Sequence, residues 1–325
     1  MCFPACICLR NNAVLFSDNL FPHRMMRRFE LLLFLTVLIS VLFYKPLKAE
    51  GSMLSRYDLN NPESHLKLAP ELKEISGIAV SEDGRLFAHD DEKGTVYELD
   101  MKTGEIIKRF YIHEKRWYGY DQVLDDFEDI AISGKRFYMV TSAGVIYGFP
   151  EGDDTTAVRA VRHETFLNDL FDVEGLCFDP GTDALLLACK EYPVEMSLKE
   201  MLFKKKKSKT RLKPVYSFSL KTRSLDAMPR FLIDGDSLRK KSAEKKFKPS
   251  AIARHPLSGT FFVLAAKGRL LVELDPRGNV IDVARLPSKD HLQPEGLAFT
   301  DDGEMLICNE GVAGRATLLR YSMSR

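Results

Sequence analysis

From residue 75 onward the chain alternates short apolar runs with tight polar turns, and the same arrangement returns five times. Segments 75–80, 127–132, 173–178, 249–254 and 294–299 share one pattern: a polar position, a small one, then alternating apolar and small residues. Each ends in a turn that uses Gly or Pro for its backbone geometry, as in Asp83-Gly84, Ser133-Gly134, Pro180-Gly181, Ser258-Gly259 and Asp302-Gly303. A second apolar run follows each turn (86–89, 137–141, 184–189, 261–265, 305–308), then a third (95–99, 145–149, 215–220, 270–274, 317–321). A fourth is visible after four of them, at 105–112, 157–166, 227–233 and 280–286. Short strands at regular spacing with turn signals between them predict an all-β array. Four antiparallel strands per unit, repeated about an axis, predict a β-propeller.

The fifth unit reaches the end of the chain after its third strand, which would leave an unpaired edge. The segment 54–68 has no other assignment, so the expectation is a five-bladed ring over 54–325 that this N-terminal segment closes. A degenerate sixth blade inside the long 190–249 stretch is the alternative count.

Aligning the five first strands gives one column: Ser76, Glu128, Glu174, Ser250 and Glu295. The first strand of a blade is innermost, so this column rings the mouth of the central channel. Three carboxylates converging there repel one another and resist desolvation unless a cation or proton neutralises them. Hard oxygen ligands with room for water suit Ca²⁺ ahead of Mg²⁺. The ends of the second strands reach the same mouth and bring Asp90 and Asp91, Lys190 and Glu191, and Asn309 and Glu310. The candidate metal ligands are therefore Glu128, Glu174, Glu295, Glu191, Glu310 and Asp91. Strand alternation predicts that Asp129 points away from the axis.

Ahead of the repeats, Arg27 and Arg28, an apolar run over 31–43, and Leu47-Lys48-Ala49 read as a secretory signal. The run is short for a membrane-spanning helix, which needs about 20 apolar residues. An uncleaved N-terminal membrane anchor is the other reading of this leader, 1–49. Residues 1–24 precede a more normal start at Met25 or Met26, which suggests an over-assigned start codon. Export places the protein in the periplasm or outside the cell. An oxidising compartment would permit a Cys177–Cys189 bridge, although buried free thiols are expected for Cys177, Cys189 and Cys308.

These motifs resemble the SdiA-regulated (YjiK-like) family. The resemblance rests on Ile75-Ser76-Gly77-Ile78-Ala79, Asp126-Phe127-Glu128-Asp129-Ile130, Val173-Glu174-Gly175-Leu176 and Pro294-Glu295-Gly296-Leu297-Ala298. It implies an exported five-bladed propeller, distantly similar to NHL-repeat propellers, with a calcium site whose acidic ligands correspond to Glu128, Glu174 and Glu295. It implies no established activity.

Composition changes this picture in one respect. With 47 basic and 46 acidic residues the chain has a formal charge of +1, which excludes a uniformly basic nucleic-acid binder. Two basic runs account for the balance: Lys204, Lys205, Lys206, Lys207, Lys209, Arg211 and Lys213, then Arg239, Lys240, Lys241, Lys245, Lys246 and Lys248 around Glu244. Residues 1–49 carry six basic and two acidic side chains, so the remainder is net −3; without the two runs it is −15. The propeller is thus acidic with a basic rim. That rim, with Lys204–Lys207, Lys240 and Lys241 at its centre, would attract an anionic small molecule, a lipid headgroup or an acidic polysaccharide. Nucleic acid is not an expected partner, and a single closed ring is expected to be a monomer. The primary functional expectation is a calcium-binding propeller that acts as a binding or scaffold module. The alternative is a metal-dependent hydrolase of phosphoester or lactone type, with Glu191 or His89 as the visible proton-transfer groups.

Overall fold

The tight turns join neighbouring strands into antiparallel hairpins, and successive hairpins build five small sheets around one axis. The computed structural model describes residues 51–116, 119–193, 211–242, 247–312 and 314–324. The leader lies outside them, as do Lys204, Lys205, Lys206 and Lys207. Among the described residues no helix is long and apolar enough to cross a membrane.

The protein is a five-bladed β-propeller. Blade 1 comprises Ile75–Val80, Leu86–Asp90, Thr95–Leu99 and Ile106–Arg116 from the axis outward. Blade 2 comprises Phe127–Ser133, Arg136–Thr141, Ile146–Pro150 and Val161–His163. Blade 3 has Val173–Asp179, Ala184–Cys189 and Leu212–Ser219, with Ser224–Leu225 and Phe231–Asp234 sharing the outer position. Blade 4 comprises Ala251–Arg254, Phe261–Ala265, Leu270–Leu274 and Val280–Arg285. Blade 5 has Pro294–Phe299, Met305–Asn309 and Thr317–Tyr321, and the N-terminal strand Ser64–Lys67 completes it. No sixth blade occurs among the described residues. The 211–242 part of the long stretch supplies strands of blade 3 and the helix Gly235–Ser242 instead.

The expected fourth strand at 157–166 is in fact two. Ala157–Arg159 runs parallel to the outer strand of blade 1, and only Val161–His163 pairs within blade 2. The break falls at the buried Ala160, whose N–H bonds to the His113 carbonyl. This excursion staples blades 1 and 2 together.

The second strands are buried on both faces, which explains their continuous apolar runs. Five hydrophobic clusters fill the five gaps between adjacent blades. Between blades 1 and 2, Phe87 meets Phe137 edge-on at 4.8 Å. Between blades 4 and 5, Phe262 and Phe299 stand 5.0 Å apart. Cys177, Cys189 and Cys308 are free and buried in this packing. Cys177 lies opposite Leu186 and Cys189 opposite Val173 in their shared hairpin, so the two sulfurs are not cross-strand neighbours.

Ring closure reaches beyond Ser64–Lys67. The Leu54 N–H and the Ser52 hydroxyl donate to the buried Glu273 carboxylate of blade 4, at 3.0 and 2.8 Å. Tyr57 donates its hydroxyl proton to the Gly303 carbonyl at 2.6 Å and bonds His255 Nε2 at 2.9 Å. The other ring nitrogen, Nδ1, accepts from the Ser258 N–H at 3.2 Å, so Nε2 carries the proton. The segment before the first blade thus ties blades 4 and 5 together. A Tyr57→Phe substitution strands the His255 N–H and the Gly303 carbonyl in the core, and should cost about 1–3 kcal/mol in urea unfolding.

Candidate ion-binding mouth of the central channel

Four of the five inner strands open with the same irregularity. The pairing register shifts between Ile75 and Gly77, Phe127 and Asp129, Val173 and Gly175, and Pro294 and Gly296. The skipped residues are Ser76, Glu128, Glu174 and Glu295. Each is the extra residue of a β-bulge, a device that releases a side chain from strand alternation and re-aims it. The column read from the repeats is therefore set by four bulges. In blade 4 the corresponding Ser250 is used differently: its hydroxyl donates to the Pro294 carbonyl at 3.0 Å and bridges blades 4 and 5.

The bulge also overturns the expected orientation of Asp129. Its carboxylate is buried at the axis, where Oδ1 accepts the Ile130 N–H at 2.8 Å and Oδ2 the Leu176 N–H of blade 3 at 2.7 Å. The Ile252 N–H of blade 4 adds to these, and burial pushes the carboxyl well above the usual range. On the blade 1 side, a Cβ at Gly77 would stand 2.6 Å from both Asp129 Oδ1 and His89 Nε2. Only glycine leaves room there. The signal was present in the repeats as the next column, Gly77, Asp129, Gly175, Ala251 and Gly296, with one acid among the smallest residues.

Glu128, Glu174 and Glu295 converge on one lysine. The Lys190 ammonium pairs with Glu174, and its charge also lowers the proton affinity of Glu128 and Glu295. It does not suffice. Burial, with Asp126, Asp172 and Glu295 nearby, holds Glu128 up to about 8; burial, with Glu310 nearby, holds Glu295 up to about 7. Glu174 is buried against Lys190.

The other predicted ligands separate into distinct roles. Gln293 donates to Glu310 and also bonds Glu295, so Glu310 joins the ring through an amide bridge. Asp91 lies apart, among Glu74, Asp90 and Glu92, where burial and this company raise its carboxyl to about 6. Glu191 is buried between two lysines, with Lys248 Nζ at 2.9 Å and Lys213 Nζ at 3.5 Å. It is an ion-pair partner rather than a member of the ring. Lys213, read from sequence as part of the basic rim, is correspondingly buried in a strand. Lys240 is exposed on the helix Gly235–Ser242, and Lys241 donates to the Val280 and Ile281 carbonyls on the outer strand of blade 4.

A cavity of about 350 Å³ opens over the ring, lined by Glu295, Lys190, Asp172, Gln293, Lys248 and Lys267 among others. Three of these belong to a second repeat column, two residues ahead of the first: Glu74, Asp126, Asp172, Lys248 and Gln293. It is polar in every blade, yet it falls before the strands begin. At the opposite end the channel is apolar, a cavity of about 140 Å³ lined by residues such as Ile78, Ile130, Leu176, Ile252 and Leu297.

His89 is not at the mouth. It is fully buried, with Nδ1 bonded to the Asp90 carbonyl at 2.8 Å, and burial lowers it to about 4. The two proton-transfer candidates of the hydrolase reading are thus a core histidine and a carboxylate held by two ammoniums.

Residues 52–310 match the sequence profile of the SdiA-regulated family. The chain belongs to this family. No curated protein matches it significantly. Among solved structures, the Myxococcus xanthus glutaminyl cyclase superimposes with a TM-score of 0.53 at 12% identity, over 81% of this chain and 96% of that one. The PQQ-bound aldose sugar dehydrogenase of Streptomyces coelicolor gives 0.46 at 12% identity, over 81% and 97%. A Bacteroides thetaiotaomicron protein of unknown function gives 0.44 at 11% identity, over 80% of this chain and 57% of that one. At such identity the first likeness shows the fold alone, and the propeller of this family member agrees with it.

Among the described residues, no three His, Cys, Asp or Glu side chains already surround one point as a metal cage. The donor chemistry nevertheless fits a hard cation. Three desolvated carboxylates face a single positive charge, the Lys190 ammonium.

With EDTA present, the melting temperature should fall as pH rises from about 6.5 to 8.5. The folded state holds protons on Glu128 and Glu295 that the unfolded chain has already released, so their stabilisation is lost as pH climbs through 7 and 8. Glu128→Gln should flatten the slope. Separately, Asp129→Ala leaves three buried N–H groups, those of Ile130, Leu176 and Ile252, unpaired and should cost about 2–5 kcal/mol, with Asp129→Asn costing less because one acceptor survives. Equal losses in the two variants would show that the hydrogen bonds do not matter.

Proposed function

We propose that this family member is an exported calcium-binding propeller that serves as a binding or scaffold module. The observation that carries the calcium reading is the delivery of Glu128, Glu174 and Glu295 to one channel mouth, where burial raises Glu128 and Glu295 even with Lys190 among them. Carboxylates in that condition gain from any hard cation that replaces a proton or a lysine. Glu128, Glu174 and Glu295 would hold the ion, with Glu310 oriented toward them through Gln293; Glu191 is taken up by two lysines, and Asp91 sits among Glu74, Asp90 and Glu92. Ca²⁺ suits the site better than Mg²⁺ because separate blades can supply oxygens without strict octahedral geometry.

Export rests on the leader, with its paired arginines and apolar run. The module reading is favoured over the hydrolase because His89 and Glu191 both have structural partners.

Calorimetric titration of Ca²⁺ into residues 51–325, which form one compact unit, tests the site. The wild type should bind one ion per chain, and the Glu128→Gln/Glu174→Gln variant should lose at least tenfold in affinity. Proton release should accompany binding at pH 7, read as a dependence of the observed enthalpy on the buffer's ionisation enthalpy. Equal affinity in wild type and variant would place the ion elsewhere.

A further inference from the structure

The excursion that staples blades 1 and 2 begins on the face opposite the mouth. After Ile146–Pro150 the chain crosses to the outer strand of blade 1, where it continues as Ala157–Arg159. It is fixed on the way. Asp154 Oδ1 accepts the Arg109 N–H at 3.0 Å, and the Thr155 N–H donates to the Arg109 carbonyl at 2.7 Å. Gly152 lies so close to Phe110 that a Cβ would stand 2.9 Å from that side chain. Glu151 is thereby carried from blade 2 to the cations of blade 1. Its carboxylate takes the Arg85 guanidinium as a fork, at 2.5 and 2.9 Å, and pairs with Lys108.

Beneath this crossing lies a cavity of about 510 Å³, within the range of small-molecule sites. Ile132, Phe137 and Pro150 give it an apolar floor, and the facing hairpin turns bring Glu82, Asp83 and Arg85 from blade 1 and Lys135 from blade 2. The polar wall is held from behind. Arg85 donates from Nε to Asp83 at 2.8 Å, approaches Glu98 at 3.3 Å and lies over the Phe87 ring. Lys108 meets Glu98 at 3.5 Å and lies over the Phe110 ring. Three carboxylates, Asp83, Glu98 and Glu151, thus share two cations, a formal surplus of one negative charge. Hydrogen bonds from Ser81 and Arg85 hold Asp83 below the usual carboxylate range, and those from Arg85 and Lys108 do the same for Glu151, so both stay charged at neutral pH. At the rim Glu82 offsets Lys135, and the nearby Asp153 and Asp154 offset Arg109 and Arg136, so the surplus survives.

We propose that this cavity is a binding site for a small primary amine with an apolar body, its ammonium donating to Glu151 and Asp83 and its body resting on Ile132, Phe137 and Pro150. The protein's own donors leave acceptor capacity there. Asp83 Oδ1, Asp83 Oδ2 and Glu151 Oε2 each take one side-chain donor, and a carboxylate oxygen accepts about two. A primary ammonium supplies both the missing N–H groups and the one missing positive charge. The apolar floor offers nothing to a bare metal ion but removes the body of an organic cation from water. The negative surplus disfavours an anion. The site lies on the face away from the glutamate ring and does not depend on the calcium reading.

The test titrates 2-phenylethylamine into the full-length protein by calorimetry at pH 7 and low ionic strength, in EDTA, with 2-phenylethanol and 3-phenylpropionate as matched neutral and anionic probes. The amine should bind at one site per chain, the alcohol at least tenfold more weakly and the propionate not measurably. Lys135→Glu should tighten the amine severalfold and Glu82→Lys should weaken it severalfold; both positions are exposed on hairpin turns, where the fold tolerates the change. Glu151→Gln should weaken it at least tenfold, with circular dichroism checking its folding; if that variant does not fold, the two exposed ones decide. No binding of the amine to the wild type, equal affinity for the alcohol, or an affinity that neither Lys135→Glu nor Glu82→Lys moves would each overturn the proposal. An amine affinity that falls only in Glu128→Gln would place the amine at the channel mouth, overturning this site and leaving the calcium reading untouched.

Discussion

Crowding at the axis governs this molecule. Five inner strands approach so closely that a Cβ at Gly175 would stand 2.9 Å from the Ile252 N of the next blade, and one at Gly296 would stand 3.0 Å from the Ile78 N of the first. Backbone N–H groups that face the axis have no strand partner on that side, and little room is left for anything to satisfy them. One carboxylate, Asp129, occupies the space that glycine leaves in its neighbours and accepts from blades 2 and 3 together. Buried donors need acceptors, and an acceptor shared between blades fixes their spacing as well. The inter-blade clusters of aromatic and aliphatic side chains then pack against a hub whose dimensions are already set.

The same crowding produces the acidic mouth. A regular strand could not place a large side chain at the axis beside its neighbours, so each of four inner strands bulges just before the narrow point and turns one residue outward. Three of those residues are glutamates, and all three look toward Lys190. The arrangement is costly as it stands: one ammonium cannot compensate three carboxylates, and two of them retain protons near neutrality. Lysine at that point has the right sign and insufficient charge.

Much of this was legible in the sequence, for reasons that can be traced to particular residues. The second strands announce themselves because they are buried on both faces, as in Ala184–Cys189. The closing strand follows from counting, since the fifth blade lacked a partner. The glutamate column is visible because the repeats align. Asp129 was misread because its orientation depends on a bulge, and a bulge is a property of two strands in register rather than of one. Glu191 looked equivalent to Glu310, both at the ends of second strands, and only the buried Lys213 and the nearby Lys248 distinguish it. Asp172 and Gln293 escaped notice because they precede the apolar pattern that marked each repeat, and Lys248 was read only as part of the basic rim.

Ring closure and the mouth are one problem. Glu128 and Glu174 belong to adjacent blades 2 and 3, but Glu295 belongs to blade 5, with blade 1 between it and blade 2. Their convergence exists only if the ring is shut. The shutting strand, Ser64–Lys67, pairs with Thr317–Tyr321 on the outer side of the sheet whose inner strand carries Glu295. Tyr57 and the Leu54 N–H hold the adjoining segment against blades 4 and 5. Weakening that closure would let blade 5 drift from blade 1 and carry Glu295 away from Lys190. The carboxylates repel one another, so they would assist the opening; a cation held between them would oppose it. An ion at the mouth, as proposed, would therefore be a second clasp on the same ring, placed at the axis where the N-terminal strand cannot reach.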